Sequence, residues 1–208
     1  MTRIERLEPS RHKKERILVF LQGGGLLKIT AAELLEFDLR PGLELDDDTL
    51  ERLRRAAERS QTRQRAAAMA GSRMLSQREL TQRLVKKGAE PEEAAETAQW
   101  LADLGAVDDA AYAGAIARHY AAMGYGAGRV RQELQRRGVP RELWEEALSQ
   151  LPEPEEAIER FLRGKLRNKE PDAPTLRRLS DALLRRGFSW QEVRPVLSRF
   201  GRDADEES

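Results

Sequence analysis

A mostly α fold is predicted: tandem three-helix repeats in an elongated array, with a small N-terminal β-hairpin and helix extension. Three observations predict it. A pattern of apolar residues and glycines recurs at about fifty residues, helix start and stop signals fall at matching places in each copy, and short β-rich runs are confined to the first thirty residues.

The recurrence is explicit. Leu80, Leu84, Gly88, Ala89 and Leu101 return fifty residues later as Val130, Leu134, Gly138, Val139 and Leu151, and forty-nine after that as Leu179, Leu183, Gly187, Phe188 and Phe200. The expected organisation is an N-terminal extension over 1–60, repeats over 61–125 and 126–170, a truncated third repeat over 171–202 and an acidic tail over 203–208.

In the extension, Ile17 to Leu21 and Leu26 to Ile29 flank Gly23-Gly24-Gly25 as a hairpin. Thr30 caps a short helix through Phe37, Arg40-Pro41-Gly42 marks a turn, and Asp48 starts a long helix to about residue 70. In the first repeat, Ser76 and Glu79 form a capping box, Leu75 and Leu80 a hydrophobic staple, and Gly88 the left-handed stop of helix one. Pro91 opens a second helix carrying Ala94, Ala98, Leu101 and Leu104 and ending at Gly105. Asp108 caps a third, with Val107 against Tyr112 and an apolar face of Ile116, Ala117 and Tyr120, closing near Gly124.

The second copy starts helices near Gly128, Pro140 and Pro154, the last bearing Ile158, Phe161, Leu162 and Leu166. The third has Asp172 before helix one and a capping box at Ser189 and Glu192, then enters the tail without a third helix. Pro195 inside its last helix predicts a kink or a later start.

Composition bounds function. There is no cysteine, which removes disulfides and thiolate metal sites and suits a reducing cytosol. No apolar run approaches the length of a membrane span, and the first residues lack the form of an export signal. The net charge is +1, from 37 Lys and Arg against 36 Asp and Glu, which argues against a generic nucleic-acid binder.

That near-neutral sum conceals a periodic separation. Residues 61–88 hold seven basic and one acidic side chain, and residues 89–117 none and seven. Residues 118–141 hold six and one, residues 142–159 none and seven, and residues 160–188 nine and three. First helices are basic and second helices acidic, and stacking in an array would align each sign into a stripe. The doublets Lys86-Lys87, Arg136-Arg137 and Arg185-Arg186 each precede a glycine. Complementing the helix dipole explains any one doublet as well as a partner does. It does not explain Arg73, Arg78, Arg129, Arg131, Arg177 or Arg178, which lie early in or ahead of the same helices. The stripe as a whole is therefore read as facing a charged partner.

Candidate chemistry is sparse. His12 and His119 are isolated and are read as surface or interhelical residues. Gly124, Gly126 and Gly128 join two helices and do not follow a strand, so they are read as a flexible inter-repeat connection and not a nucleotide loop. Asp108-Asp109 is a helix cap before it is a cation site. Two of Tyr112, Tyr120 and Tyr125 fall on an apolar helix face and are read as core, and Trp100, Trp144 and Trp190 as packing anchors of second helices. No catalytic, cofactor-binding or metal-binding residues are expected.

Three ordered motifs remain: Ser76-Gln77-Arg78-Glu79-Leu80 with Leu84 and Gly88; Leu104-Gly105-Ala106-Val107-Asp108-Asp109 followed by Tyr112-Ala113; and Glu133-Leu134 with Gly138-Val139. Together, over about residues 61–200, they resemble the RecX family, although alanine stands near Gly105 where isoleucine or tyrosine is frequent. The resemblance implies a non-enzymatic cytoplasmic modulator of DNA repair, homologous recombination and the SOS response. It would bind RecA or the RecA–DNA filament and inhibit the ATPase, recombinase and coprotease activities of RecA. Contact would run through Arg73, Lys86, Lys87, Arg129, Arg131, Arg136, Arg137, Arg177, Arg178, Arg185 and Arg186. The alternative is direct DNA binding through the same basic helices; no cofactor and no membrane are implied, and a monomer is favoured.

Overall fold

The computed structural model describes residues 1–11, 15–167 and 172–206, with side chains described through residue 200. It is mostly helical with a small N-terminal strand region. His12 lies outside the described residues. Among the described residues no helix is long and apolar enough to cross a membrane.

The extension is richer in strand than expected. β2 (Ile17–Leu21) and β3 (Gly25–Ile29) form the predicted hairpin, and Gly23 and Gly24 take positive φ at its turn. The hairpin does not stand alone: β1 (Thr2–Pro9) and the two-residue β4 (Glu44–Leu45) complete an antiparallel sheet of order β3-β2-β1-β4. The sequence hides β1 because its charges and its bulge between Ile4 and Arg6 break the period-two alternation.

α1 (Ala31–Glu36) starts with a Thr30 and Glu33 capping box, and α2 (Asp47–Ser72) starts at Asp46, whose carboxylate accepts from the Thr49 N–H at 2.6 Å. Ile4, Val19, Ile29 and Leu53 are fully buried between sheet and helices. Burial of each such side chain contributes about 1.5–3 kcal/mol. The buried Arg16 ties the sheet to α2 through Ser60 Oγ at 2.9 Å and Gln64 Oε1 at 3.1 Å.

The repeat region comprises α3 (Gln77–Lys86), α4 (Pro91–Asp103), α5 (Asp109–Ala122), α6 (Ala127–Arg137), a 3-10 turn at Arg141–Leu143 leading into α7 (Trp144–Ser149), α8 (Pro154–Leu166), α9 (Ala173–Arg185) and α10 (Trp190–Glu206). The predicted caps are present. Ser76 Oγ accepts from the Glu79 N–H at 3.0 Å, Asp108 from Ala111 at 2.9 Å, Asp172 from Thr175 at 2.9 Å, and the Ser189 N–H donates to Glu192 at 2.6 Å.

At the C-terminal end, α10 begins at Trp190 and holds Pro195 within it, so of the two outcomes expected for the proline the later start does not occur. Its exposed position leaves the ring in solvent, and only the bond its missing N–H would have made to the turn before is lost. The same helix runs to Glu206 and so takes in part of the segment expected as a tail.

The chain divides into two compact units, Met1–Arg73 with Leu80–Ala106, and Met74–Glu79 with Val107–Ser208. The first holds the sheet and the packing of α2 on α4. The second holds two helical cores. One unites α5, α6 and α7 around Tyr112, Ile116, Val130, Leu134 and Ala147, and the other unites α8, α9 and α10 around Ile158, Leu162, Leu183, Phe188 and Val193. These packing groups are out of phase with the sequence repeat by one helix: the third helix of one copy packs with the first two of the next. In that phase α8, α9 and α10 form a complete three-helix group.

Candidate partner-binding surface

The eleven expected contact residues separate into two kinds. Some are consumed by the fold and others are free, and the division follows from how successive copies meet.

In the second unit the Arg137-Gly138 turn that ends α6 meets the start of α3. Ser76 Oγ donates to the Arg137 carbonyl, and a Cβ at Gly138, which has φ +69°, would overlap the Arg78 side chain. Asp109 accepts from the Gln77 N–H at 2.9 Å, and the Tyr112 hydroxyl donates to Glu79 at 3.0 Å. Arg137 donates to that hydroxyl and stands 3.9 Å from Glu79.

Forty-nine residues on, the same meeting recurs. The Gly126 N–H donates to the Arg186 carbonyl and the Gly128 N–H to the Gly187 carbonyl, both at 2.9 Å. A Cβ at Gly187, which has φ +88°, would overlap the Arg129 backbone nitrogen, and one at Gly126 or Gly128 would lie 2.8 Å from Gly187 O. Of the three glycines expected to be a flexible connection, Gly126 and Gly128 are therefore closely packed against a second backbone, which a side chain would prevent, and Gly124 lies beside the Arg186 guanidinium.

Arg186 Nη1 donates to the carbonyls of Met123 and Gly124 at 3.0 and 3.1 Å, and its guanidinium lies over Tyr125 and Phe161 at 5.1 and 4.9 Å. The second arginine of each doublet is thus a fastening between copies. Those carbonyls sit at the end of α5, so the cation also complements the negative end of that helix.

Glu133 organises α6. Its side chain is 5 % exposed and receives Arg129 at 3.1 Å and Arg136 at 2.7 Å, with Arg137 at 3.5 Å. Burial works against its charge, yet hydrogen bonds from Arg136 and Tyr120 and the Arg136 and Arg129 charges hold the carboxyl below its ordinary range. Asp109 shows the opposite balance, with burial raising its pKa against the Gln77 hydrogen bond. Burial and the Glu79 charge likewise push the Tyr112 phenol up.

Arg73, Lys86, Lys87, Arg131, Arg177, Arg178 and Arg185 are exposed, and none has an ion pair among the described residues. Arg129, Arg136, Arg137 and Arg186 are the engaged four. The doublets are engaged differently: Arg136 and Arg137 are both held, by Glu133 and by Tyr112, in Arg185-Arg186 only the second is held, by carbonyls at the end of α5, and neither lysine of Lys86-Lys87 has an ion pair among the described residues.

The aromatic expectations divide similarly. Tyr112 is buried, Tyr120 and Tyr125 meet edge to face at 5.5 Å, and Trp144 donates to the Val139 carbonyl at 3.0 Å. His119 is exposed at the edge of the Tyr120 ring. Trp190 is 53 % exposed, so it does not anchor a core; it occupies the first position of α10, where Val193 and Val196 point inward instead.

A family model described as "RecX, second three-helix domain" matches residues 108–148, which are α5, α6 and α7 with the Asp108 cap. A regulatory protein RecX of Geobacillus kaustophilus is 33 % identical over 198 residues, covering 92 % of this chain and 74 % of that protein. One of Xanthomonas axonopodis pv. citri is 33 % identical over 139 residues, covering 66 % of this chain and 85 % of that protein. A crystal structure of a regulatory protein RecX superposes with a TM-score of 0.74 at 22 % identity, covering 94 % of this chain and 98 % of the other.

Proposed function

Because the chain belongs to the RecX family, we propose that it is a regulatory protein that binds RecA, or the RecA filament on DNA, and inhibits the ATPase, recombinase and coprotease activities of RecA. The observation that carries this reading is the set of exposed cations that have no ion pair among the described residues and lie on the first helix of each copy or just after it: Lys86 on α3 with Lys87 after it, Arg131 on α6, and Arg177, Arg178 and Arg185 on α9. Cations the fold does not consume remain available to a partner, and several contacts along one chain add through effective concentration. The reading implies a cytosolic protein that acts by binding. The motif carboxylates Glu79, Asp108, Asp109 and Glu133 are all engaged in caps and joints, which supports a structural role for them.

The test reverses Lys86, Arg131, Arg177, Arg178 and Arg185 to glutamate together, and leaves Arg137 and Arg186 in place because they hold the joints. Loss of RecA ATPase inhibition with unchanged helical circular dichroism is expected. Full inhibition by that variant would refute these cations as the contact. Direct DNA binding, favoured by the same free cations, predicts tight association with naked DNA and a salt slope of about −0.9 per phosphate neutralised on a duplex.

A further inference from the structure

The joint between copies has three corresponding positions, and one of them is open. Lys87, Arg137 and Arg186 occupy the same place in the repeat, as do Gly88, Gly138 and Gly187. The Arg137 and Arg186 carbonyls are met by Ser76 Oγ and the Gly126 N–H, and the glycines after them are covered at contact distance. Among the described residues the Lys87 carbonyl has only a long contact from Arg65 Nη1 at 3.4 Å, and a Cβ at Gly88 would meet nothing within 4 Å. Beside it, in the first unit, lies a cleft of about 500 Å³ lined by Arg65, Ala68, Met69, Ser72 and Lys87.

From this correspondence we infer that the cleft at Lys87-Gly88 is a docking site for the acidic first turn of a helix from a partner protein. The class of occupant follows from what fills the other two joints. Both receive the start of a helix: Ser76 to Arg78 on Gly138, and Gly126 to Arg129 on Gly187. A helix start brings backbone N–H groups without partners of their own, and these suit the carbonyls at the end of α3. A nucleic-acid backbone presents acceptors there and no N–H donor.

The charge of the occupant follows from what the open joint lacks. The joint at Arg137 contains Glu79 and Glu133, and Arg186 is met by carbonyls and two rings. Lys86, Lys87, Arg65 and Arg73 have no ion pair among the described residues. Carboxylates are favoured in a helix first turn, so one segment supplies both the N–H donors and the negative charge. Met69 and Ala68 on α2 offer it an apolar wall. Gly88, without a Cβ neighbour, lets its backbone approach as closely as Arg129 approaches Gly187.

The inference rests on the RecA reading only for the choice of probe. The chain has no cysteine, so Ser72→Cys introduces a single thiol at the cleft that can carry a benzophenone photocrosslinker. This protein is mixed with RecA filaments on single-stranded DNA and irradiated, with Glu36→Cys on α1 as the control position. The expected product joins Ser72→Cys, and not Glu36→Cys, to a RecA peptide at a helix start bearing carboxylates. Ala68→Trp, which fills the cleft from an exposed helix position, and Lys87→Glu should each weaken filament binding roughly tenfold or more, with binding to naked DNA unchanged. Crosslinking to DNA alone, or to a peptide without carboxylates, overturns the inference. So does filament binding by both variants at wild-type strength, which leaves the RecA reading standing. Absence of any filament binding by the unmodified protein overturns both.

Discussion

Substituting Gly187 and Gly88 separately by alanine measures the joint, because the two residues share a backbone conformation and differ in surroundings. Both have strongly positive φ, +88° and +89°. An L-residue there costs about 1–2 kcal/mol, so Gly88→Ala should lose that much. Gly187→Ala adds a methyl that overlaps the Arg129 backbone and separates the two N–H···O bonds made by Gly126 and Gly128. Overpacking of a tight site costs about 1–3 kcal/mol, and two hydrogen bonds of about 0.5–1.5 kcal/mol each bring the further loss to ~2–6 kcal/mol. Urea unfolding followed by far-UV circular dichroism gives the totals, fitted with a separate transition for each unit. Hydrogen exchange at the Gly126 and Gly128 amides gives the local effect: faster in Gly187→Ala and unaltered in Gly88→Ala. Equal losses in the two variants would refute the joint as a source of stability and leave only the demand for a left-handed residue.

Two further predictions concern Glu133, which is buried, and Asp109, which is half-buried. Glu133 is held below the ordinary carboxyl range, so its contribution is present above the unfolded value of about 4.3 and is lost as pH falls through the folded value. Glu133→Gln should therefore be less stable at neutral pH, by about 1.5–3 kcal/mol, with the difference vanishing in acid; a pH-independent difference in urea midpoints would contradict this. Asp109 is raised by burial, so the folded protein binds its proton more tightly and ionisation costs stability as pH rises from the ordinary value through the raised one. Asp109→Asn keeps an acceptor for the Gln77 N–H and should be at least as stable as the parent at neutral pH. Asp109→Ala leaves that N–H unmet and should lose about 1–3 kcal/mol; thermal melts of the two variants over a pH series decide it.

The elements were legible where their signals are local. Capping boxes at Ser76 and Ser189, the caps at Asp108 and Asp172 and the stops at Gly88 and Gly138 are read from a few neighbouring residues, and each is present. What escaped was set by residues distant in sequence. β1 gains its partners from β2 and β4, and the Gly124 to Gly128 segment is held by a turn sixty residues away. The expected contact set was only partly resolved for the same reason: Arg137 and Arg186 are engaged by Tyr112 and by the carbonyls at the end of α5, whereas the pairing of Arg136 with Glu133, three residues before it, was local and legible, and Arg185 has no carboxylate at that spacing.

Several of the residues that carry the family resemblance turn out to hold copies together. Ser76, Glu79, Asp109, Tyr112, Glu133 and Gly138 form a single connected network, with Val139 in the core beside it. The joint at Gly187 also sets a helix start on a left-handed glycine but with different chemistry, backbone N–H groups on carbonyls in place of the Ser76 hydroxyl, and guanidinium on carbonyls and rings in place of guanidinium on carboxylate and phenol. The left-handed glycine is thus what the two joints share, and the polar groups around it differ while each buried donor finds an acceptor. It follows that a doublet cation can be released for binding wherever its joint is satisfied by other means or left unfilled. Lys86-Lys87 beside the open glycine is the place where both residues of the doublet are free.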